Sequence, residues 1–318
     1  MKIVFLDSFT LNPGDLNWDC FNAYGEFEHH TDTPQELVVK NAAEADVIIT
    51  NKVKLNETHF AQLPKLKLIL VAATGYDVVD TKAARKYNIA VCNCPAYGSK
   101  AVAQMVFAHL LEVTNRVGHY TYLNQEEKDW AKQTFFSYWN TPLTEINGKS
   151  IAIVGFGNIG KEVARIAHAF EMTVYAVTSR KQAELPEGIT KISLFEAMEK
   201  CDIVSLSCPL TENNKQFINE ECLSHAHPNL IFINTARGGL IDEVAMAKAL
   251  KENKIKAFCA DVLSTEPPPT NHPLLGLKNA FITPHIAWAT LEARKRILDI
   301  LMNNLEHFTK GNPQNVVN

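Results

Sequence analysis

Three side chains with acid–base or electrostatic chemistry follow predicted strands late in the chain. Arg237 lies in "FINTARGGLIDE", Glu266 in "CADVLSTEPPP" and His285 in "FITPHIAWAT". An imidazole exchanges a proton near neutral pH, a carboxylate can orient it and favour its charged form, and a guanidinium can hold an anion. Because the carboxyl ends of parallel strands meet at one edge of a sheet, we expect all three side chains to face one crevice.

Each of these residues, taken alone, also has a structural interpretation. A lone histidine after a strand is more often structural, and the arginine beside "GG" could cap a helix. The glutamate before three prolines could lie on a loop surface. Their common position after successive strands is what favours a catalytic trio.

A glycine-rich turn lies upstream, in "IAIVGFGNIGKEVARIA". Gly155, Gly157 and Gly160 have the G-x-G-x-x-G spacing between a predicted strand and a predicted helix. The first glycine permits the tight turn, the second lets the backbone approach a pyrophosphate, and the third allows close packing of helix and strand. The start of the helix, at Asn158 and Ile159, supplies free N–H groups to phosphates. The sequence therefore predicts dinucleotide binding by these residues.

The segment "VYAVTSRKQ" lacks the acid that usually follows the second strand of such a site. An acid there binds the adenosine ribose and repels a 2′-phosphate. Here the positions are Thr178, Ser179, Arg180 and Lys181, and the two cations would attract that phosphate. This favours NADP over NAD. The alternative is that the two cations form a solvated loop and that NAD binds through its other groups.

Composition narrows the class of protein. The 318 residues are 46% hydrophobic and 21% charged with a net charge of −4, which gives no general attraction to nucleic acid or to anionic lipid. No apolar run is long enough for a membrane span, and the start resembles no secretory signal. The seven cysteines are odd in number and scattered, which predicts reduced thiols in the cytoplasm and no metal site.

Short β-branched runs alternate with helical patterns along nearly the whole chain. They predict an α/β protein with two doubly wound parallel sheets, one after the other. A single helix from Ser99 to Leu123 would carry the chain into the second domain, and a helix from Trp288 to Phe308 would pack back on the first. We therefore predict one domain from residues 1–100 plus 289–318 and another from residues 101–288.

Taken together, these motifs resemble the D-isomer-specific 2-hydroxyacid dehydrogenases. "VGFGNIG", "ATGYDVVD", "VCNCPAYGSKAVAQ" and the three stretches quoted first carry the resemblance, and "TPHIAWAT" is most similar to the glycerate dehydrogenase (hydroxypyruvate reductase) branch. The family implies a Rossmann dinucleotide domain and a flavodoxin-like substrate domain. It also implies NAD(P)H-dependent reduction of a small 2-oxo acid. His285 would donate the proton, Glu266 would orient it, and Arg237 would hold the substrate carboxylate.

The resemblance points first to reduction of hydroxypyruvate to D-glycerate, with glyoxylate as a second substrate. Two alternatives remain: a D-lactate or other D-2-hydroxyacid dehydrogenase, and, from another class, a nucleotide-sensing protein like the family's corepressors. An aromatic run at residues 129–142, "DWAKQTFFSYWNTP", predicts a homodimer, since the family usually dimerises through this domain.

Further site residues are implied by the same resemblance. Three are expected to contact substrate together with Arg237 and His285, namely Thr74, Gly75 and Tyr76. Lys52 follows the preceding predicted strand and is a further candidate for contact with substrate, the alternative being a solvated lysine. Five are expected to contact the cofactor, Cys208 and Pro209 beneath the adenosine and Thr235, Ala236 and Asp261 near the nicotinamide. Asp261 could alternatively brace the loop of Arg237.

Overall fold

The computed structural model describes all 318 residues, which form two compact units. One unit is Met1–Gly98 with Trp288–Asn318, and the other is Ser99–Ala287. Each unit contains one sheet in which every pair of strands is parallel. The predicted class, two doubly wound parallel sheets, is confirmed.

The first unit has a five-stranded sheet in the order β2-β1-β3-β4-β5, which is the flavodoxin-like order. The strands are β1 Lys2–Phe5, β2 Glu26–His29, β3 Val47–Thr50, β4 Leu68–Val71 and β5 Ala90–Cys92. Its helices are α1 Val38–Ala42, α2 Glu57–Phe60, α3 Thr81–Lys86 and, from the end of the chain, α10 Leu291–Thr309. Alternate residues of β1 enter two separate apolar cores, so both faces of the sheet are covered.

The end of the chain is built into this first unit. Ile297, Leu301 and Leu305 lie four residues apart on α10 and are fully buried in one of the two cores. The side chain of Arg294 binds both carboxylate oxygens of Asp15, at 2.5 and 2.7 Å. These contacts explain why a segment more than 180 residues distant in sequence joins the N-terminal sheet.

The second unit has a seven-stranded sheet in the order β12-β11-β10-β9-β6-β7-β8, a Rossmann order with one added strand. The strands are β6 Ser150–Val154, β7 Thr173–Val177, β8 Ile189–Lys191, β9 Ile203–Leu206, β10 Ile231–Asn234, β11 Ala257–Ala260 and β12 Ala280–Ile282. The helices are α4 Ser99–Asn115, α5 Val117–Gln125, α6 Asn158–Ala169, α7 Leu194–Lys200, α8 Glu220–Ser224 and α9 Glu243–Lys251. The strand order reverses between β6 and β9, the point at which such sheets bind ligands.

The prediction of one helix from Ser99 to Leu123 was wrong. The chain breaks at Arg116, whose φ of 56° is left-handed, and this residue separates α4 from α5. The guanidinium of Arg116 lies over the ring of Phe281, 5.1 Å from its centroid, and the N–H of Gly118 donates to Glu112. Helix α4 buries a broad apolar face, whereas α5 has no buried residue. The first helix therefore packs in the core and the second lies at the surface.

The last helix also begins later than predicted, because Thr290 caps it with a hydrogen bond to the N–H of Ala293. Trp288 lies before the helix and packs edge-on against Tyr97 at a centroid distance of 6.3 Å. None of the ten helices combines the length and apolar character needed to cross a bilayer. No group of three or more His, Cys, Asp or Glu side chains is placed to hold a metal ion.

Candidate active site

His285 and Glu266 lie beyond the carboxyl ends of β12 and β11 and are hydrogen-bonded to each other. The distance from Nδ1 of His285 to Oε2 of Glu266 is 2.7 Å. The side chains are 25% and 35% exposed, so both remain accessible to a small molecule. The sequence predicted this pairing across 19 residues, and the structure places the two groups together.

Arg237 follows β10, the neighbouring strand of the same sheet. Its side chain is exposed, makes no ion pair, and donates one hydrogen bond, from Nη1 to the carbonyl of Ala236 at 2.8 Å. The loop beneath it is fixed by buried Asn234, which donates to the carbonyl of Arg237 and accepts from the N–H of Ala236. A fixed loop with an uncommitted guanidinium is suited to hold an anion.

The backbone around His285 is organised by the buried carboxylate of Asp261. This carboxylate is 1% exposed and accepts three hydrogen bonds, from the hydroxyl of Thr283 at 2.6 Å and from the N–H groups of Ile286 at 2.9 Å and Ala287 at 2.7 Å. His285 itself has a left-handed φ of 55° and donates its N–H to the Asp261 carbonyl at 2.8 Å. A histidine holds this uncommon conformation only where its surroundings enforce it.

Asp261 therefore braces the His285 loop, whereas the sequence suggested either the nicotinamide or the Arg237 loop. Contact between Asp261 and the nicotinamide stays a prediction. Thr235 and Ala236 directly follow β10, and their contact with the nicotinamide also stays a prediction. The hydroxyl of Thr235 is buried without a hydrogen-bond partner in the protein. Such an orphaned group is suited to a partner from a bound molecule.

The loops that carry Arg237 and Glu266 are in direct backbone contact. Glu266 accepts a hydrogen bond at Oε1 from the N–H of Leu263, at 3.0 Å. A Cβ on Gly238 would lie 1.9 Å from the carbonyl carbon of Leu263, so no side chain fits at residue 238. Only glycine next to Arg237 permits the two loops to approach this closely.

The glycine turn has the geometry that a dinucleotide requires. Gly155 has a φ of 94°, and a Cβ there would lie 2.6 Å from the N atom of Cys208. A Cβ on Gly160 would lie 2.4 Å from the carbonyl oxygen of Gly155, whereas one on Gly157 would meet nothing within 4 Å. The first and third glycines thus serve close packing, and the second leaves open space beside Asn158, where α6 begins.

A cavity of about 610 Å³ opens beside this turn, entirely within the second unit. Predicted residues that line it are Gly155, Gly157, Thr178, Ser179, Arg180, Cys208 and Pro209. The predicted cofactor residues that are not in its lining are Asn158, Ile159, Lys181, Thr235, Ala236 and Asp261. The backbone N–H of Lys181 instead donates to Glu184 at 2.7 Å. No acid lines the cavity, which fits a phosphorylated ligand.

Sequence reasoning missed Lys191, a second cation in this lining. Its Nζ donates to the carbonyl of Arg180 at 2.7 Å, and its N–H donates to the side chain of Gln182, also at 2.7 Å. Gln182 in turn donates to the carbonyl of Ile189, so the basic loop is tied to β8. Strand β8 has three residues and one buried side chain, too weak a pattern to identify before the structure.

The residues present fit a nicotinamide dinucleotide. The buried hydroxyl of Ser207 lines the cavity without a partner in the protein, and the glycine turn leaves the N-terminus of α6 open. Burial raises the pKa of the Cys208 thiol, which opposes formation of a nucleophilic thiolate. We therefore interpret Cys208 as a packing residue in the wall of the cavity.

The residues predicted to contact substrate in the first unit follow β3 and β4. Lys52 is exposed in a loop held by the buried carboxylate of Asp7, which accepts from the N–H groups of Asn51, Lys52 and Val53. The hydroxyl of Thr74 donates to the carbonyl of Cys94 at 2.8 Å. Substrate binding by Lys52, Thr74, Gly75 and Tyr76 stays a prediction.

A sequence model described as D-isomer specific 2-hydroxyacid dehydrogenase, NAD binding domain, matches residues 107–287. The chain belongs to this dehydrogenase family. It is 40% identical to the hydroxypyruvate reductase of Blautia hydrogenotrophica over the full length of both chains. It is 37% identical to the glycerate dehydrogenase of Methylorubrum extorquens, with 99% of this chain and 98% of the relative covered.

Solved structures of similar proteins extend this comparison. An acyclic imino acid reductase, Bsp5, in complex with NADPH and D-Arg, has a TM-score of 0.85 and 32% identity, with both chains fully covered. An NADPH-dependent glyoxylate/hydroxypyruvate reductase from Sinorhizobium meliloti has a TM-score of 0.83, with 99% and 96% covered, and at 24% identity it supports the fold alone. The dehydrogenase fold thus extends over both units.

The contact at Gly238 gives a test of how this dehydrogenase positions its site. Gly238→Ala must push Leu263 away and so separate the loops of Arg237 and Glu266, and we expect turnover to fall about 100-fold. Steady-state rates and a thermal melt measure the effect. Gly239→Ala is the matched control, because its Cβ would meet only the end of the flexible Leu210 side chain. Equal turnover in the two variants would contradict the interpretation.

Proposed function

We propose that this enzyme uses NAD(P)H to reduce a small 2-oxo acid to the D-2-hydroxy acid, with hydroxypyruvate as the leading substrate and glyoxylate as the second. The observation that carries the proposal is the bond of 2.7 Å between His285 and Glu266, in the unit that also holds the glycine-turn cavity. The names of the hydroxypyruvate reductase and glycerate dehydrogenase relatives support the substrate.

His285 is the proton donor in this proposal. The carboxylate of Glu266 binds Nδ1, so that nitrogen carries the hydrogen-bonded proton and Nε2 is the atom that can give its proton to a developing alkoxide. The nicotinamide, when bound, supplies the hydride. Glu266 accepts the hydrogen bond from Nδ1 and fixes the plane of the ring, since its second oxygen is held by Leu263.

Arg237 supplies the positive charge for the substrate. Its planar guanidinium presents paired N–H donors that match a carboxylate and can also polarise the neighbouring carbonyl oxygen. Since the side chain forms no ion pair with the protein, a substrate anion need not displace an internal partner. A short, polar 2-oxo acid is the substrate class that these three groups require.

For the cofactor we propose a preference for NADPH. Arg180 and Lys191 line the cavity, no acid lies among its lining residues, and Thr178 and Ser179 can donate hydrogen bonds. Lys191 is held beside the loop by its hydrogen bond to the Arg180 carbonyl. Its side chain therefore loses less conformational entropy when a phosphate binds. Two cations at this place favour a 2′-phosphate over a free ribose hydroxyl.

We also propose that the enzyme is a homodimer through residues 117–143. Five large aromatic side chains in this segment are exposed, Tyr122, Trp130, Phe135, Phe136 and Trp139, and Phe136 is 89% exposed. The segment is nonetheless ordered by side-chain bonds, since Tyr120 pairs with Thr141 and Tyr138 donates to Asn124. An exposed apolar surface on an ordered segment is typical of a protein–protein interface.

The reaction is tested by initial rates for hydroxypyruvate, glyoxylate and pyruvate with NADH and NADPH in parallel. We expect the highest kcat/KM for hydroxypyruvate with NADPH. His285→Ala should lower turnover by about 100-fold or more, the scale of general acid catalysis, while NADPH still binds. A near-normal rate in this variant would remove His285 as proton donor, and a preference for pyruvate would favour a D-lactate dehydrogenase.

The cofactor preference is tested by calorimetry with 2′,5′-ADP and 5′-AMP, which differ in the 2′-phosphate. Arg180→Asp should lower the affinity for 2′,5′-ADP by about 10-fold or more relative to that for 5′-AMP. The reason is that a charge-assisted hydrogen bond to the 2′-phosphate is lost and the new carboxylate repels that phosphate. Lys191→Thr should act in the same direction. Arg165→Asp, an exposed arginine of α6, is the control. An unchanged ratio in both cavity variants would favour NAD.

The dimer is tested by light scattering of the native enzyme and of the double variant Phe135→Asp and Phe136→Asp. We expect a mass of twice the 35.5 kDa of one chain for the native enzyme and a monomer for the variant, because two buried charges would oppose association. Phe195→Asp, at an exposed aromatic outside the segment, is the control. A native enzyme that is monomeric at micromolar concentration would refute the proposal.

A further inference from the structure

A buried carboxylate with no role in the proton transfer lies behind the turn that carries Glu266. Glu243 is the first residue of α9 and is 9% exposed. It makes no ion pair with a lysine or arginine, and its one charged or titratable partner is His272, which is 7% exposed. A carboxylate is costly to bury in this way unless hydrogen bonds replace its water.

Three donors provide those hydrogen bonds. The N–H of Ser264 donates to Oε1 of Glu243 at 2.8 Å, and the hydroxyl of Ser264 donates to Oε2. Nε2 of His272 lies 3.1 Å from the same Oε2. Since Nδ1 of His272 accepts from the N–H of Leu274, the hydrogen of this ring lies on Nε2 and points to the carboxylate.

The bonds to Ser264 connect Glu243 to the acid–base pair. Leu263, the residue before Ser264, donates its N–H to Oε1 of Glu266, and Oε2 of Glu266 is bonded to His285. Glu243 thus holds the turn at residues 263–266 from behind, while the same turn holds the carboxylate that orients the imidazole. Each link in this chain is a hydrogen bond of 3.0 Å or shorter.

The segment from Arg237 to Glu243 holds this turn at both of its ends. Near its start, the backbone of Gly238 packs directly on Leu263, and at its end Glu243 binds Ser264. One short segment therefore sets the position of Arg237 and of the turn of Glu266. Loss of the Glu243 bonds would move the turn of Glu266, while the loop of Arg237 stays held by Asn234.

A merely structural need does not account for Glu243. Asp242, the preceding residue, already caps α9 by accepting from the N–H groups of Val244 and Ala245. Met246 and Leu250 anchor the helix in the apolar core. The helix is therefore capped and packed without Glu243, whose side chain is committed to the catalytic turn.

We propose that Glu243 is a positioning residue for the reduction, acting through Ser264 and Leu263 on Glu266 and thereby on His285. The inference rests on the proposed role of His285 as proton donor. It assigns His272 as the donor that keeps the Glu243 carboxylate aligned. Because Glu243 contacts neither the glycine-turn cavity nor the side chain of Arg237, its loss affects the chemical step and leaves cofactor affinity unchanged.

Glu243→Gln is the first variant, since it keeps the size of the side chain. An amide presents one oxygen to three donors, so at least one hydrogen bond is lost and an N–H group faces a donor. We expect kcat to fall about 10- to 100-fold, with KM for hydroxypyruvate and Kd for NADPH within about 2-fold of the native values. A change confined to the melting temperature would overturn the proposal.

A double-mutant cycle with Glu266→Gln tests the path. If Glu243 acts through Glu266, Glu243→Gln should cost little in the Glu266→Gln enzyme, so the two effects on kcat are not additive. Full additivity would refute that path. The matched control is Glu199→Gln, which removes a Glu–His pair of 2.9 Å on the exposed surface of the same unit and should leave kcat unchanged.

Ser264→Ala keeps the proposal testable if Glu243→Gln does not fold. It removes only the hydroxyl donor, retains the backbone bond, and should lower kcat in the same direction by a smaller factor. Native kcat in Ser264→Ala would then overturn the inference. Failure of the proposed function is distinguished by His285→Ala: if that variant is inactive but Glu243→Gln and Ser264→Ala are native in rate, only the positioning role falls.

Discussion

The arrangement of the site depends on the buried carboxylate that holds the loop of His285. Asp261 follows β11 and is buried, and its oxygens hold the segment from Thr283 to Ala287 by three hydrogen bonds. That segment places His285 in a left-handed conformation, from which Nδ1 reaches Glu266. Together with the hydrogen bond from the N–H of His285 to the Asp261 carbonyl, these three bonds maintain the strained conformation of the residue.

Much of the fold could be predicted because parallel strands with both faces covered are almost wholly apolar. Strands β3, β4 and β10 consist of buried residues from end to end. The turn at Gly155 could be recognised because close backbone contacts require glycine at residues 155 and 160. The edge strands β2 and β8 were harder to predict from the sequence. Strand β2 is partly exposed and β8 has one buried residue, so neither has a continuous apolar run.

The same distinction applies to the site. Arg237, Glu266 and His285 could be selected because each reactive side chain follows a recognisable strand. The supporting residues could not be assigned, because the partners of Glu243 and Asp261 are set by tertiary contacts across 21 to 29 residues. Lys191 was missed with its strand, and the break at Arg116 was missed because neither Gly nor Pro marks the residue.

Three buried acids brace loops in this protein, and all three do so without a lysine or arginine partner. Asp7 holds the loop of Lys52 through three backbone N–H groups, Asp261 holds the loop of His285, and Glu243 holds the turn of Glu266. Hydrogen bonds from N–H and O–H dipoles satisfy these carboxylates, so no cation is consumed inside the protein.

This choice of partners has a consequence for anionic ligands. The side chains of Arg237 in the catalytic loop and of Lys52 in the first unit make no ion pair, and Arg180 and Lys191 line a cavity free of acids. If the bracing acids were neutralised by these cations, an oxo acid or a phosphate would have to break an internal ion pair to bind. Because hydrogen bonds from N–H and O–H groups stabilise the bracing acids instead, these positive charges are free of internal ion pairs, and the rigidity of the loops is obtained independently of their charge.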